Sequence, residues 1–265
     1  MSTTKTADNR SNVLYITYDG ALGALGQSQV INYLKGLCKN DLHFFLLSFE
    51  KKKNVQNPSL VAGIARELAE NDIRWTPLTY HEFPKVLSTL FDICVGIFTG
   101  ICIVASKKIK IIHARAEVPA VIALVISKLF GVQFIYDRRG MLAHEYVDGG
   151  MWKKESPLTK ILFPLVNSLD RQFIVQADSI VVLTERIAAI LRNDFSGSKH
   201  ALDITTIPCC VDLNVFTPVQ VSAVASIEEH HTFTLVYTGS LGTWYMLEEM
   251  ADFFKTLIKD IPKAH

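Results

Sequence analysis

Residues 109–137 read IKIIHARAEVPAVIALVISKLFGVQFIYD. The apolar run Ile109–His113 predicts a strand, Val118–Phe130 a helix that Gly131 ends, and Val132–Asp137 a second strand. Both strands are nearly continuous apolar runs, the pattern of strands covered on both faces. A strand, a helix and a second such strand make a βαβ unit, and such units build parallel sheets.

The same alternation extends in both directions. Upstream, a strand at Val13–Tyr18 leads through a glycine loop at 19–26 into a helix from Gln27 to Cys38. Leu42–Phe49 is a second strand, and Asn57 caps a helix with Pro58 in its first position, running to about Asn71. Ile73–Leu78 contains Pro77, which places that strand near a sheet edge. A helix from about 84 to 106 precedes the opening unit. Downstream, a polar loop spans 138–156 and Pro157 starts a helix to about Ala177. Ser179–Leu183 is a strand, Thr184 to about Asp194 a helix, and Asp203–Ile207 a closing strand. The fold class is therefore α/β, a doubly wound, mostly parallel Rossmann-like sheet.

Composition agrees. Of 265 residues 49% are apolar, 20% are charged and the net charge is +1, with a mean hydropathy of +0.23. That balance gives no support to bulk nucleic-acid binding. The lysine runs 51–53 and 107–110 read as solvated turns or as phosphate contacts. Five cysteines show no CxxC pair and no metal spacing, which fits reduced thiols in a cytoplasmic protein. The polar start, MSTTKTADNRSN, has no apolar core of a signal peptide.

Val86–Ala105, VLSTLFDICVGIFTGICIVA, is long enough to cross a bilayer. Asp92 at its centre would cost about 2.5–3.5 kcal/mol there. Positions 86, 87, 90, 91, 94, 97, 98, 101 and 104 are apolar at helical spacing, which predicts a buried crossover helix. The competing reading is a helix resting on the membrane surface, a peripheral contact at the inner face.

On a sheet of this kind ligands bind in loops at the carboxyl ends of strands. The first such loop carries Gly20, Gly23 and Gly26 before Gln27; glycines permit close backbone approach and the following helix presents its N-terminus. At the ends of the 109–113 and 132–137 strands stand His113, Arg115, Glu117 and then Asp137, Arg138 and Arg139. Arginine forks suit phosphate or carboxylate groups, and a structural salt-bridge cluster such as Asp137 with Arg115 is the alternative. The 141–152 loop adds His144, Glu145 and Asp148 as acid–base candidates. No GxSxG elbow, HExxH pair or P-loop lysine is present, and no metal site is read.

Beyond residue 207, IPCCVDLNVFTP leads to a polar stretch and then to FTLVYTGSLGTWYMLEEMADFFKTLIKD, read as a strand, a glycine turn and an amphipathic helix. The organisation expected is a disordered N-terminus at 1–12 and an acceptor-side Rossmann-like domain at 13–207. An interdomain linker at 208–231 and the first βα unit of a donor-binding domain at 232–265 complete it.

These pieces in order resemble the N-terminal domain of family 4 glycosyltransferases, enzymes of the GT-B fold. The matching stretches are LYITYDGALGALGQSQVINYLKGL, IIHARAEVPAVIAL, FIYDRRG, YVDGGMWKK, ADSIVVLTERIAAIL, IPCCVDLNVFTP and LVYTGSLGTWYMLEEM. The resemblance implies transfer of a sugar from a nucleotide-sugar donor to a sugar, polysaccharide or lipid-linked acceptor. It implies retained configuration, no required metal and no cofactor other than the donor substrate. Carried onto this chain, it makes Gly23 and Gly26 close-approach positions and sets Arg115, Asp137, Arg138 and Arg139 on the acceptor side; with the loop placement above, Asp137 and His113 are the catalytic candidates. Gly23, Gly26, Gln27, Arg115, Arg138, Arg139 and Glu145 become substrate-binding, and Gly239, Ser240 and Gly242 contact donor phosphate.

Three departures stand out. Asp137 occupies a position where many family members have histidine, Gly239-Ser240-Leu241 replaces the common Gly-Arg-Leu, and Cys209-Cys210 replaces an Asn-Gly turn. A second Rossmann-like domain needs on the order of 100–200 residues, so the expectation is a truncated chain with weak or no transferase activity by itself. A non-catalytic binding or regulatory module is the alternative. A nicotinamide-dependent oxidoreductase is kept open only by Glu50, an acid after the second strand.

Overall fold

The computed structural model describes residues 11–197, 201–213, 216–217, 233–239, 241 and 245–265. Among them, seven parallel strands form one sheet in the order β3-β2-β1-β4-β5-β6-β7. The strands are β1 (Ser11–Thr17), β2 (Leu42–Glu50), β3 (Ile73–Thr79), β4 (Ile111–Arg115), β5 (Gln133–Arg138), β6 (Ser179–Val182) and β7 (Ile204–Thr206). Pro77 lies in β3, which is an edge strand, where its missing N–H removes no ladder bond on the open side. The order reverses direction between β1 and β4, and that is where loops part to form a crevice.

The first helical run begins as α1 (Ala24–Gly26), passes through a π-helical turn at Gln27–Ile31 and continues as α2 (Asn32–Leu37). It therefore starts three residues before the expected Gln27. After it come α3 (Lys52–Val55), α4 (Pro58–Glu70), α5 (Lys85–Lys107), α6 (Glu117–Phe130), α7 (Leu142–Asp148), α8 (Pro157–Gln176), α9 (Glu185–Asp194) and α10 (Leu247–Asp260). The Asn57 side chain accepts the Leu60 N–H at 3.2 Å and caps α4. Thr184 caps α9 in the same way through Ile187 N–H.

Two cores cover the two sheet faces, as strand alternation requires. Leu14, Ile16, Phe45, Leu47, Ile112, Phe134 and Tyr136 pack with Ile122, Ile126, Phe173 and Leu191 from the helices on one side. Val13, Tyr15, Phe44 and Leu46 pack with Val30, Ile31, Leu34, Ile64 and Leu68 on the other.

Several expectations need correction. Ser11 and Asn12 belong to β1, and Ser11 N–H donates to the Asp41 carbonyl at 3.1 Å; the remainder of the expected disordered segment, 1–10, lies outside the described residues. The 138–156 stretch is not all loop, because α7 forms within it. The face that α5 buries is rotated from the one expected: Val104 is common to both, and Ile97 and Ile101 of the expected stripe pack only partly buried against the core. Its buried residues are Ser88, Asp92, Gly96, Gly100 and Val104, while Leu87, Leu90, Phe91 and Phe98 are exposed. Small residues face inward because α5 lies close against α6: a Cβ on Gly96 or Gly100 would come within 2.5 Å of Ile122 Cδ1 or Ile126 Cδ1.

The chain divides into two compact units, one holding residues up to Met141 with Leu165–Val211, the other Leu142–Pro164 with Asp212–His265. Pro164 lies inside α8 at that division; proline removes a helix hydrogen bond. In the second unit the expected strand at 233–239 does not form. Leu235 and Phe233 instead exchange backbone hydrogen bonds with His265. A lone strand with a single partner residue has no ladder to extend it. The amphipathic helix expected after it is present as α10.

Candidate functional site

The register of the sheet places Thr17, Arg115 and Asp137 side by side on β1, β4 and β5, at the carboxyl ends. One pleat below, Tyr15 is paired with His113, and their rings lie tilted at 34° with centroids 4.5 Å apart. Side chains two apart on a strand share a face, so His113, Arg115 and Asp137 all point to the α2 side.

There they form a charge-balanced network. Arg115 Nε donates to Asp19 Oδ2 at 3.1 Å, and its Nη1 lies 3.7 Å from Asp137 Oδ2. Arg139 Nη1 approaches Asp137 Oδ1 at 3.4 Å, and Arg139 Nη2 reaches Cys209 Sγ at 3.5 Å. His113 Nε2 stands 3.5 Å from Asp137 Oδ2, yet this buried nitrogen has no hydrogen-bond partner. At that distance the contact is too loose to count as a hydrogen bond. Burial pushes the Asp137 carboxyl up, but His113, Arg139 and Arg115 outweigh it and hold the group below its ordinary value. Two arginines against two aspartates leave little net charge for an anionic ligand. The salt-bridge alternative describes this cluster better than an open phosphate fork.

Arg138, expected beside them, is absent from this face. Being one residue on, it points to the opposite side, where Nε and Nη2 clasp the Asp170 carboxylate on α8 at 3.1 and 2.9 Å. Tyr136 Oη donates to the same carboxylate at 2.8 Å. Burial works against the Arg138 charge, but Asp170 and Glu117 sustain it. This is a buried structural ion pair, and Arg138 does not line the crevice.

The backbone at the end of β4 is strained. Ala116 has φ 70° and ψ 179°, a region nearly restricted to glycine that costs of order 1–3 kcal/mol. Its N–H donates to the Asp137 carbonyl at 2.9 Å, which fixes the turn that carries Arg115 into the crevice.

The glycine loop is held by Glu50, which is fully buried. Its carboxylate accepts from Ala21 N–H at 2.7 Å, Leu22 N–H at 3.1 Å and Ser48 Oγ at 2.6 Å. Gly20 is required because a Cβ would strike this carboxylate, and Gly26 because a Cβ would fall on the Gly20 carbonyl. The close approach at Gly26 is thus loop against helix. Gly23 N–H closes a turn onto Gly20 O at 2.9 Å and Gln27 Nε2 donates to Leu22 O at 3.2 Å. Glu50 is fully buried and its carboxylate is turned to the loop amides and Ser48, so it is not presented to the ribose hydroxyls that a nicotinamide cofactor would bring.

Two groups at this rim escaped the sequence reading. Tyr33 on α2 is half-buried, and burial together with the Asp137 carboxylate pushes its phenol up. Asp92, otherwise fully buried on apolar α5, accepts from Tyr18 Oη at 2.7 Å and His81 N–H at 3.1 Å, and lies 2.5 Å from His81 Nδ1. The clue was available: a carboxylate inside an apolar helix must find partners. Nδ1 bound to Asp92 fixes the ring of the partly exposed His81 and leaves Nε2 to form a hydrogen bond. Tyr18 and Asp19 are consecutive, so one loop ties this pair and the arginine network to the end of β1.

In the second unit, Glu145 lies in the first turn of α7. The segment is stitched by Trp152 N–H to Tyr146 O at 2.8 Å and by edge contacts of Tyr146 with Trp152 and His144 with Phe163. A Cβ on Gly239 would collide with the Tyr237 ring. Ser240 and Gly242 lie outside the described residues.

No family model matches this sequence, and no curated protein matches it. Solved structures do. Sucrose-phosphate synthase from Thermosynechococcus elongatus aligns with a TM-score of 0.57 at 14% identity, over 85% of this chain and 55% of that one. Anabaena HepE, solved with UDP and glucose, aligns with a TM-score of 0.57 at 13% identity, over 95% and 59%. A glycosyltransferase from Rickettsia africae aligns with a TM-score of 0.51 at 14% identity, over 97% and 68%. This chain spans little more than half the length of the first two. At such identities the likeness concerns the fold: an α/β chain built on a seven-stranded parallel sheet, shared with glycosyltransferases of the GT-B type.

Proposed function

We propose that this chain serves glycosyl transfer from a nucleotide-activated sugar to an acceptor hydroxyl, supplying mainly the acceptor side. The observation that carries the reading is the Asp19–Arg115–Asp137–Arg139 network. It sits beside the Glu50-braced glycine loop, at the strand-order reversal of a fold shared with nucleotide-sugar enzymes. The sequence resemblance supports retention without a metal. In that course the bond from the sugar C1 to phosphate oxygen breaks and its electron pair leaves with the nucleoside diphosphate. The acceptor oxygen bonds to C1 on the same face, and its proton passes to the departing phosphate oxygen. The network's part is to hold the crevice rigid and polar so that the reacting groups meet pre-organised dipoles. His81, oriented by Asp92, is suited to hydrogen-bond the acceptor.

The test is release of nucleoside diphosphate from UDP-, GDP- and ADP-sugars against sugar and lipid-linked acceptors. It is run on the 265-residue protein. Acceptor-dependent release that falls roughly 100-fold or more in Arg115→Lys supports the reading. Glycan binding with no release from any donor would replace it with the binding-module alternative.

A further inference from the structure

The outer face of α5 is apolar from end to end. Leu87, Leu90, Phe91, Cys94, Phe98 and Cys102 are exposed, at spacings of three and four that align them in one stripe. Phe83, just before the helix, is 87% exposed and Phe98 71%. At ~1.5 Å per residue the stripe from 87 to 102 runs roughly 22 Å. The α6 helix packed beside it adds exposed Leu129 and Phe130.

Exposed charge around this stripe is mostly positive. Between Phe83 and Phe130 the acids are Asp92 and Glu117, both buried. Lys85, Lys107, Lys108, Lys110 and Lys128 in the same span are exposed. Lysines therefore stand at both ends of the apolar stripe, and the exposed Glu82 beside Phe83 offsets the Lys85 end while Lys107 and Lys108 face no acid within the span. Long lysine stems can lie along an apolar boundary while their ammonium groups reach anionic headgroups.

The helix is long and apolar enough to cross a membrane by composition, but its inner face is committed. Asp92 is bound to Tyr18 and His81, and Gly96 and Gly100 seat Ile122 and Ile126. Withdrawing α5 into a bilayer would strip these contacts and bury a carboxylate in hydrocarbon. A helix with one face fixed to its domain and the other apolar and flanked by lysine is built to lie in the plane of an interface.

We infer that the α5 face, from Phe83 to Cys102, docks this protein on the surface of an anionic lipid bilayer. The inference stands independently of the glycosyltransferase reading. The test is co-sedimentation of the intact protein with phosphatidylcholine vesicles, with and without phosphatidylglycerol. Binding is expected to the anionic vesicles and to weaken with salt. Leu87→Glu/Phe98→Glu and, separately, Lys85→Glu/Lys107→Glu should each reduce it roughly tenfold or more. All four positions are exposed, and circular dichroism with a thermal melt verifies that each variant folds. Full recovery of the wild-type protein in the supernatant would overturn the inference. So would equal vesicle binding by the Leu87→Glu/Phe98→Glu variant. Self-association in sedimentation velocity that this variant abolishes, without vesicle binding, would assign the face to a second copy instead.

Discussion

Arg115 reaches from the end of β4 to Asp19 in the loop after β1, with Nε 3.1 Å from Oδ2. That contact spans the point where strand order reverses, and joins residues 96 positions apart. The opposing carboxylate of Asp137 makes Arg115 the shared cation of the crevice.

Arg138→Met should cost about 3–5 kcal/mol, because it removes the cation that clasps the mostly buried Asp170 carboxylate; Arg115→Met should cost less, because Asp19 is partly exposed and Asp137 keeps Arg139. Their functional effects should differ. Arg115→Met disturbs the crevice, whereas Arg138 contacts α8 on the far side of the sheet. Urea denaturation together with an acceptor-binding titration separates the two. Loss of acceptor binding in a folded Arg138 variant at conditions where wild type binds would contradict the assignment.

Asp137 should govern part of the acid limb of stability. Its carboxyl sits below the ordinary value of 3.8 in the folded chain. Its ionised form thus stabilises the fold fully above that value, and the contribution fades as pH falls below it. Asp137→Asn should be less stable at neutral pH, with the gap to wild type closing as pH drops below the ordinary value. Denaturant midpoints measured across that range test this; a gap that widens with acid would refute it.

Ala116→Gly should stabilise the chain. Relief of the left-handed strain is of order 1–3 kcal/mol, and the added freedom of the unfolded glycine takes back about 0.4–1 kcal/mol. A raised midpoint in urea is the expected outcome. A lowered one would mean that the conformation at 116 carries no strain.

Glu50→Gln should destabilise by about 1.5–3 kcal/mol, since an amide cannot accept from Ala21, Leu22 and Ser48 as a carboxylate does. Faster amide exchange should be confined largely to the 19–26 loop. NADH should bind neither form, which fluorescence titration can check.

Much of this architecture was legible beforehand. Pro77 marked an edge strand, Asn57 and Thr184 marked helix starts, and the apolar runs marked strands buried on both sides. Local rules suffice there because each depends on a few neighbouring residues. The helix at 142–148 was missed because its polar sequence has no long apolar repeat. The strand at 233–239 was expected from its apolar run, yet strands exist only by pairing.

What the amino-acid order settled by itself was the alternation of strands and helices, and with it the parallel doubly wound sheet. It also settled which residues reach the carboxyl ends of β4 and β5. Tertiary structure alone decided what those residues meet there. The pleat sends Asp137 and Arg138 to opposite faces, and Asp19 and Asp170 arrive from distant segments to claim different arginines. It also turned α5 so that glycines face inward and phenylalanines outward. Apolar spacing along a helix defines stripes, but only the shape of the neighbouring helix selects the stripe that can approach closely.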